Sequence, residues 1–294
     1  MKQDFRLEMA KKQAEAFLRR EGITTLPVDP FAIAASRDIV VKAKPDTAEG
    51  VSGMLLRHGN IFGILYATYV PSEGFHRFSV SHELGHYFLD GHIDHVLPQD
   101  GIHTSRAGFV SADPYELEAD CFAAGLLMPS VPFKREIGRI DPGLDAIELL
   151  SRKCKTSLTA TAIRYAELSE DALAIIISTG QTIDYCFLSD AMKSLPELTW
   201  PRKGSPVPPN TETARLNAAP EKVLKADRAE AEIDVMDWLD GKKSVSVTEE
   251  VVGLGRYGKT LTVLSSSSIG QDNDDEDEED YESIVERWTP RFRR

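Results

Sequence analysis

The stretch RFSVSHELGH, residues 77–86, decides how this chain is read, because its last five residues form an H-E-x-x-H string. On a helix, His82 and His86 stand four apart, on one face and one turn up. Two imidazoles so placed can share one metal ion. Glu83, rotated to the side, brings a carboxylate next to a water on that ion, where it can act as general base. The metal lowers the water's pKa toward neutrality, which prepares it to attack a peptide carbonyl. By average residue usage the string arises in roughly one chain in a hundred of this length. The bland alternative makes both histidines ordinary polar residues of an amphipathic helix. The setting weakens that alternative: Val80, Leu84, Tyr87 and Phe88 supply a core-facing side, and Gly85 leaves room for a second element to approach.

Working outward, the helix is expected from about Ser79 to Asp90, with Gly91 at the left-handed cap that ends it. Residues 91–112 read as a long polar loop carrying His92, His95 and His103, and loops of such length are often functional. Asp113 and Pro114 then open another helix as N-cap and first helical residue. It runs to Met128, and Pro129 stops it. A catalytic zinc site needs a third protein ligand and an open fourth position. Glu116 is the nearest strong candidate, and Asp120 stacks one turn beyond it. One of the two carboxylates can bind metal while the other orients a ligating histidine through its free ring nitrogen. Two alternatives stand: Glu116 completes a capping box with Asp113, or Glu118 is the ligand. Glu118 points about 160° around the helix from Asp120 and is expected to be solvated.

These residues resemble the ImmA/IrrE family of metallopeptidases. RFSVSHELGH (77–86) and ELEADCFAAGLLMP (116–129) carry the resemblance, and LPVDPFAIA (26–34) and VSGML (51–55) match the family's opening. The match covers about residues 5–135 well and 136–168 loosely, and no matched position departs from the pattern. It implies a small zincin-like domain with one Zn2+ per chain. His82, His86 and Glu116 would be the ligands, Glu83 the base, and Asp120 the partner of a ligating histidine. It also implies a protein substrate, a helix-turn-helix repressor, in stress response or mobile-element control. For the oxyanion donor that peptidases need, His103 and Tyr115 are the candidates. Each has a competing reading as a loop or packing residue.

Upstream, residues 4–21 read as an amphipathic helix and Pro30–Ser36 as a short one. Strands follow at Ile39–Ala43, Val51–Arg57 and Ile61–Tyr66, the last two joined by a turn at His58-Gly59-Asn60. Downstream, residues 144–168 hold two helical patterns around Lys155-Thr156-Ser157. They have some look of a helix-turn-helix with Arg152, Lys153, Lys155 and Arg164 nearby. Packing against the peptidase domain is favoured over direct DNA binding, because the flanking charge is modest. Beyond residue 168 the character turns to β, with strands at Ala172–Ser178, Thr182–Leu188, Ser244–Val252 and Thr260–Leu264. Residues between the Pro-rich stretch 196–209 and the third of these read as helix or loop. The expectation is therefore an α+β chain in three parts. These are a zincin-like metallopeptidase domain over 1–168 with a short mixed sheet, a β-rich regulatory or docking domain over 169–268, and an acidic tail over 269–294.

Composition narrows the setting. The formal net charge of −13 misleads, since QDNDDEDEED (271–280) carries eight of the acidic residues and leaves about −5 for the rest. Such a body has no general electrostatic reason to bind nucleic acid. No signal peptide is visible at the start, no apolar run is long enough for a bilayer, and Cys121, Cys154 and Cys186 show no C-x-x-C pairing. A cytoplasmic zinc endopeptidase is expected. The competing readings are a metal-binding transcriptional regulator and an antitoxin-like interaction protein without proteolysis.

Overall fold

The structure, a computed structural model, describes residues 2–45, 50–97, 101–106 and 113–266. The expected acidic tail at 269–294 and part of the loop before Asp113 lie outside the described residues. Two compact units emerge: one comprises residues up to Ile140 together with Ala146–Arg164, the other Asp141–Asp145 together with residues from Tyr165.

In the first unit, helices α1 (Lys2–Arg20) and α2 (Pro30–Ala35) precede strands β1 (Val40–Lys44), β2 (Gly53–His58) and β3 (Ile61–Ala67). Helices α3 (Glu73–Phe88) and α4 (His92–Val96), strand β4 (Ile102–Ser105), and helices α5 (Pro114–Leu127) and α6 (Ser130–Ile137) follow. Helices α7 (Leu144–Cys154) and α8 (Leu158–Leu168) straddle the division between units. The sheet is mixed, in the order β1-β3-β2-β4: β1 runs parallel to β3, and β2 is antiparallel to both β3 and β4. Gly59, at φ 61°, makes the β2–β3 turn, a backbone region that glycine enters without a Cβ penalty. Alternation along β2 and β3 sends Leu55 and Ile64 into the core, where they join Val80 and Leu84 of α3, Phe17 and Leu18 of α1, and Phe122 of α5.

Three local expectations needed correction. Helix α3 begins six residues earlier than about Ser79, with Ser72 as N-cap accepting from the Phe75 N–H at 3.4 Å. Gly74 disguised this start. It is glycine because a Cβ there would lie 2.8 Å from the Ser157 nitrogen and 2.9 Å from the Thr156 carbonyl carbon. The segment read as a long loop contains α4 and β4. Gly91 is left-handed (φ 77°), but it caps the start of α4, and Leu89 closes α3. Elements of five and four residues carry too little periodicity to be seen in a sequence.

The second unit is a five-stranded antiparallel sheet with short helices. In chain order these are β5 (Ala172–Thr179), β6 (Thr182–Leu188), α9 (Asp190–Lys193), α10 (Glu212–Asn217), α11 (Pro220–Lys225), β7 (Arg228–Asp234), β8 (Ser246–Gly253) and β9 (Thr260–Ser266). Strand order is β6-β5-β9-β8-β7. Strand β7 was not anticipated. Its sequence RAEAEID favours helix by propensity, and it becomes a strand by pairing with β8 from Arg228↔Val252 to Asp234↔Ser246. Ala174, Ile176, Val247 and Leu264 cover one face with Met192, Trp238 and Leu239. Glu249 is fully buried in this unit. Its carboxylate accepts the backbone N–H groups of Glu212 and Thr213, each at 3.0 Å, and the Thr213 hydroxyl at 2.7 Å. Among the described residues no helix is long and apolar enough to cross a membrane.

Candidate metal centre

The site is assembled where α3 and α5 touch. Gly85 makes this contact: a Cβ there would lie 3.0 Å from the Ala119 Cα and 3.2 Å from its carbonyl oxygen. Any side chain at 85 would push α5 away, taking Glu116 and Asp120 with it. The α3 segment from Ser79 to His86 is buried all round. Its hydroxyls are satisfied within the helix, Ser79 donating to the Phe75 carbonyl and Ser81 to the Arg77 carbonyl. The imidazoles of His82 and His86 therefore leave the helix inside the protein, directed at α5.

Glu116 meets both. His82 Nε2 lies 3.1 Å from His86 Nε2, 3.4 Å from Glu116 Oε2, and His86 Nε2 lies 3.2 Å from Glu116 Oε1. An ion bound tetrahedrally at about 2.0–2.1 Å holds its donors about 3.3 Å apart. Each pair of groups has donor atoms close to that spacing, Glu116 meeting the two rings with different oxygens, and the three could hold a metal ion. Hydrogen bonding at the far sides of the rings agrees. His82 Nδ1 donates to Asp120 Oδ1 at 2.8 Å, which in the neutral ring leaves Nε2 with its lone pair facing the other donors. Two imidazole lone pairs and a carboxylate converging at this range repel one another unless a cation or proton lies between them.

Electrostatics point the same way. Burial disfavours charge on His82, yet hydrogen bonds to Asp120 and Glu116 outweigh it and raise its pKa to about 10. Burial, reinforced by the neighbouring His82, lowers His86 to about 4. Burial would raise Glu116, but hydrogen bonds to His103, His82 and His86 hold it well below the usual carboxylate range. Asp120 and Glu116 thus favour positive charge on His82, while burial keeps His86 neutral.

Glu83 is fully buried, and among the described residues neither carboxylate oxygen makes a well-formed hydrogen bond. Burial pushes its pKa up to about 7, against the lowering influence of His82, His103 and the Ser105 hydroxyl. It is packed against Gly53 of β2, where a Cβ would fall 2.5 Å from Glu83 Oε1. A buried ionisable group without a partner is costly and is found where chemistry needs it.

The remaining sequence candidates separate. His103, on β4, places Nε2 3.0 Å from Glu116 Oε1, and its ring centroid is 4.7 Å from that of His86. It joins the cluster. Tyr115 contacts other groups: its ring stacks on His95 at 3.7 Å, meets His92 edge-on at 5.0 Å, and has the Arg6 guanidinium over it at 5.3 Å. The Glu116 carboxylate is engaged by histidines, which answers the capping-box alternative. Glu118 departs from expectation. It is buried, with Oε1 2.7 Å from Arg6 and Oε2 3.3 Å from His92 Nε2. His92 itself was passed over as a loop residue, yet it is buried with Nδ1 3.1 Å from His86 Nδ1. Its position six residues after His86 gave no signal, because only the short helix α4 turns it back.

Of the basic residues near the α7–α8 turn, Arg164 is buried and pairs with Glu15 at 2.9 Å. Lys153 pairs with Glu136 at 2.6 Å, Lys155 with Glu73 at 2.8 Å, and Arg152 with Glu148 at 3.5 Å.

Comparison with known proteins places this geometry. A comparison with curated proteins gives no match. A solved structure described as a Mycobacterium tuberculosis transcriptional regulator shares the fold with a TM-score of 0.55 at 15% sequence identity, over 88% of this chain and 76% of that one. The model of the M78 peptidase family, described as an IrrE N-terminal-like domain, matches residues 34–165, a span that contains His82, Glu83, His86, Glu116 and Asp120. Residues 34–165 are thus an IrrE N-terminal-like domain of the M78 peptidase family.

Proposed function

We propose that the protein is a cytoplasmic zinc endopeptidase that cuts one regulatory protein, a helix-turn-helix repressor. The observation that supports this reading is the buried Glu83 carboxylate, without a well-formed hydrogen bond among the described residues, beside three groups that could hold a metal ion. His82, His86 and Glu116 would hold the zinc. When bound, zinc supplies Lewis-acid activation of water and of the scissile carbonyl. Glu83 takes a proton from the attacking water as its oxygen bonds to the carbonyl carbon. It returns that proton to the amide nitrogen as the C–N bond breaks. Asp120 holds the His82 ring in one tautomer, and His103 fixes the Glu116 carboxylate from the strand side. Because its Nε2 is engaged with Glu116, His103 is better suited to holding the ligand than to donating to an oxyanion.

The narrow substrate rests on resemblance to the ImmA/IrrE family. Zinc analysis of the purified protein, paired with incubation against the repressor encoded beside its gene, tests the reading. Stoichiometric zinc and a single cut are expected, with Glu83→Gln keeping the zinc and losing cleavage by about 10²-fold or more. Cleavage that survives Glu83→Gln overturns the proposal.

A second reading keeps the metal without hydrolysis, as a regulator that binds DNA or protein. It draws on the likeness to a chain described as a transcriptional regulator. The acidic partners of Arg152, Lys153, Lys155 and Arg164 weigh against its DNA version. A gel shift at low salt separates the two.

A further inference from the structure

We propose that His92 and Glu118 are positioning residues of the metal site, a relay that holds the His86 ring in its ligating tautomer as Asp120 holds His82. The inference rests on the reading of His82, His86 and Glu116 as metal ligands and adds a function for two residues outside that set.

The geometry gives every proton one place. For His86 to offer its Nε2 lone pair toward His82 and Glu116, its proton must sit on Nδ1. That Nδ1 lies 3.1 Å from His92 Nδ1, which can only accept, so the proton of the neutral His92 ring must sit on Nε2. His92 Nε2 is 3.3 Å from Glu118 Oε2, an acceptor. The other oxygen of Glu118 forms an ion pair with the Arg6 guanidinium at 2.7 Å. Reversing either ring would set two N–H groups, or two lone pairs, against each other. The chain of donors therefore runs one way, from His86 through His92 to Glu118.

The two ligating histidines are thus supported differently. Asp120 touches His82 directly at 2.8 Å, whereas the carboxylate that serves His86 acts through an intervening imidazole. The relay also binds helices together, since Arg6 lies on α1, His92 on α4 and Glu118 on α5. Both His92 and Glu118 are buried, so a purely structural pair would be better replaced by apolar side chains of similar volume. Their polarity is accounted for by the ring nitrogen they serve.

The test is zinc affinity, measured on full-length protein by competition with a chromophoric chelator, together with the visible spectrum of the cobalt-substituted protein. His92→Ala is expected to weaken zinc binding by about 10- to 100-fold and to change the cobalt ligand-field bands. His92→Gln, whose amide can both accept from His86 and donate to Glu118, is expected to recover most of that loss. Because the residues act in series, Glu118→Ala added to His92→Ala should cost little more than either alone. If His92→Ala does not fold, Glu118→Gln carries the same test, with a smaller loss expected. Wild-type affinity in His92→Ala, or failure of His92→Gln to recover affinity, overturns the relay while leaving the metal site intact. A wild-type protein that binds no zinc overturns the underlying reading, and the relay with it.

Discussion

Substituting Gly53 by alanine should disable the site without touching a proposed ligand or the proposed base. Gly53 lies in β2 with an extended backbone, outside the positive-φ glycines, so alanine adds no backbone strain. Its Cβ, however, would stand 2.5 Å from Glu83 Oε1 and 3.2 Å from both Cδ and Cγ. Carbon–oxygen contacts settle at about 3.3 Å, so the carboxylate must retreat by about 0.8 Å in a fully buried pocket. Displacements near 1 Å cost roughly 10²-fold in rate. Gly53→Ala is therefore expected to lower kcat/KM by about 10- to 100-fold, or ~1.4–2.7 kcal/mol in the barrier. Zinc content and thermal stability should stay near wild type. The assay is initial-rate cleavage of the proposed repressor substrate, run alongside Glu83→Gln and the double variant. Since the effect passes through Glu83, the double variant should be no slower than Glu83→Gln alone. Full activity in Gly53→Ala, or a multiplicative loss in the double variant, refutes the reasoning.

Three other outcomes follow from the packing. Gly125→Ala places a Cβ 2.8 Å from the Lys11 carbonyl oxygen and 2.9 Å from its Cα, so α1 must lift off α5; equilibrium denaturation should show a loss of about 1–3 kcal/mol. Glu15→Ala removes the acceptor of the Ser130 N–H (2.9 Å), the Ser130 hydroxyl (2.7 Å) and the buried Arg164 (2.9 Å). A cost of about 3 kcal/mol is expected in urea unfolding, and a cost under 1 would count against this network. In the second unit, burial raises Asp184, but its hydrogen bonds with Lys259 and Thr179 outweigh that and hold the carboxyl below its ordinary value of 3.8. A carboxylate depressed on folding stabilises above that value, and the contribution is lost as pH falls through the folded pKa. Lys259→Met should therefore be the less stable protein at neutral pH and show a shallower decline below about pH 4; parallel decline in both proteins would contradict the pairing.

Much of the site was legible because it is local. His82, Glu83 and His86 lie within five residues, and a helix alone puts the histidines on one face. Glu116 and Asp120 obey the same spacing on α5, which Asp113 and Pro114 announce. Strands β2, β3, β5 and β6 were visible because apolar residues alternate or run together beside turn residues. Three of the misses share one cause. Helix α4, strand β4 and strand β7 are too short or too polar to be read from periodicity, and each exists through what it pairs with or packs against.

By itself the sequence determined the helix that carries two histidines and a glutamate, the second helix that carries a carboxylate pair, and the α+β character of the whole. Such features follow from side-chain spacing within a single element, which backbone geometry converts directly into a shared face. Only the tertiary structure decided which carboxylate meets the two histidines. Glu116 and Glu118 are both buried on α5, and the contact of Gly85 with Ala119 brings Glu116 to His82 and His86 while Glu118 meets His92 and Arg6. It also placed Gly53 against Glu83, and His92 behind His86. These depend on the approach of segments distant in sequence or on a turn by a short helix, and no spacing within one element encodes them.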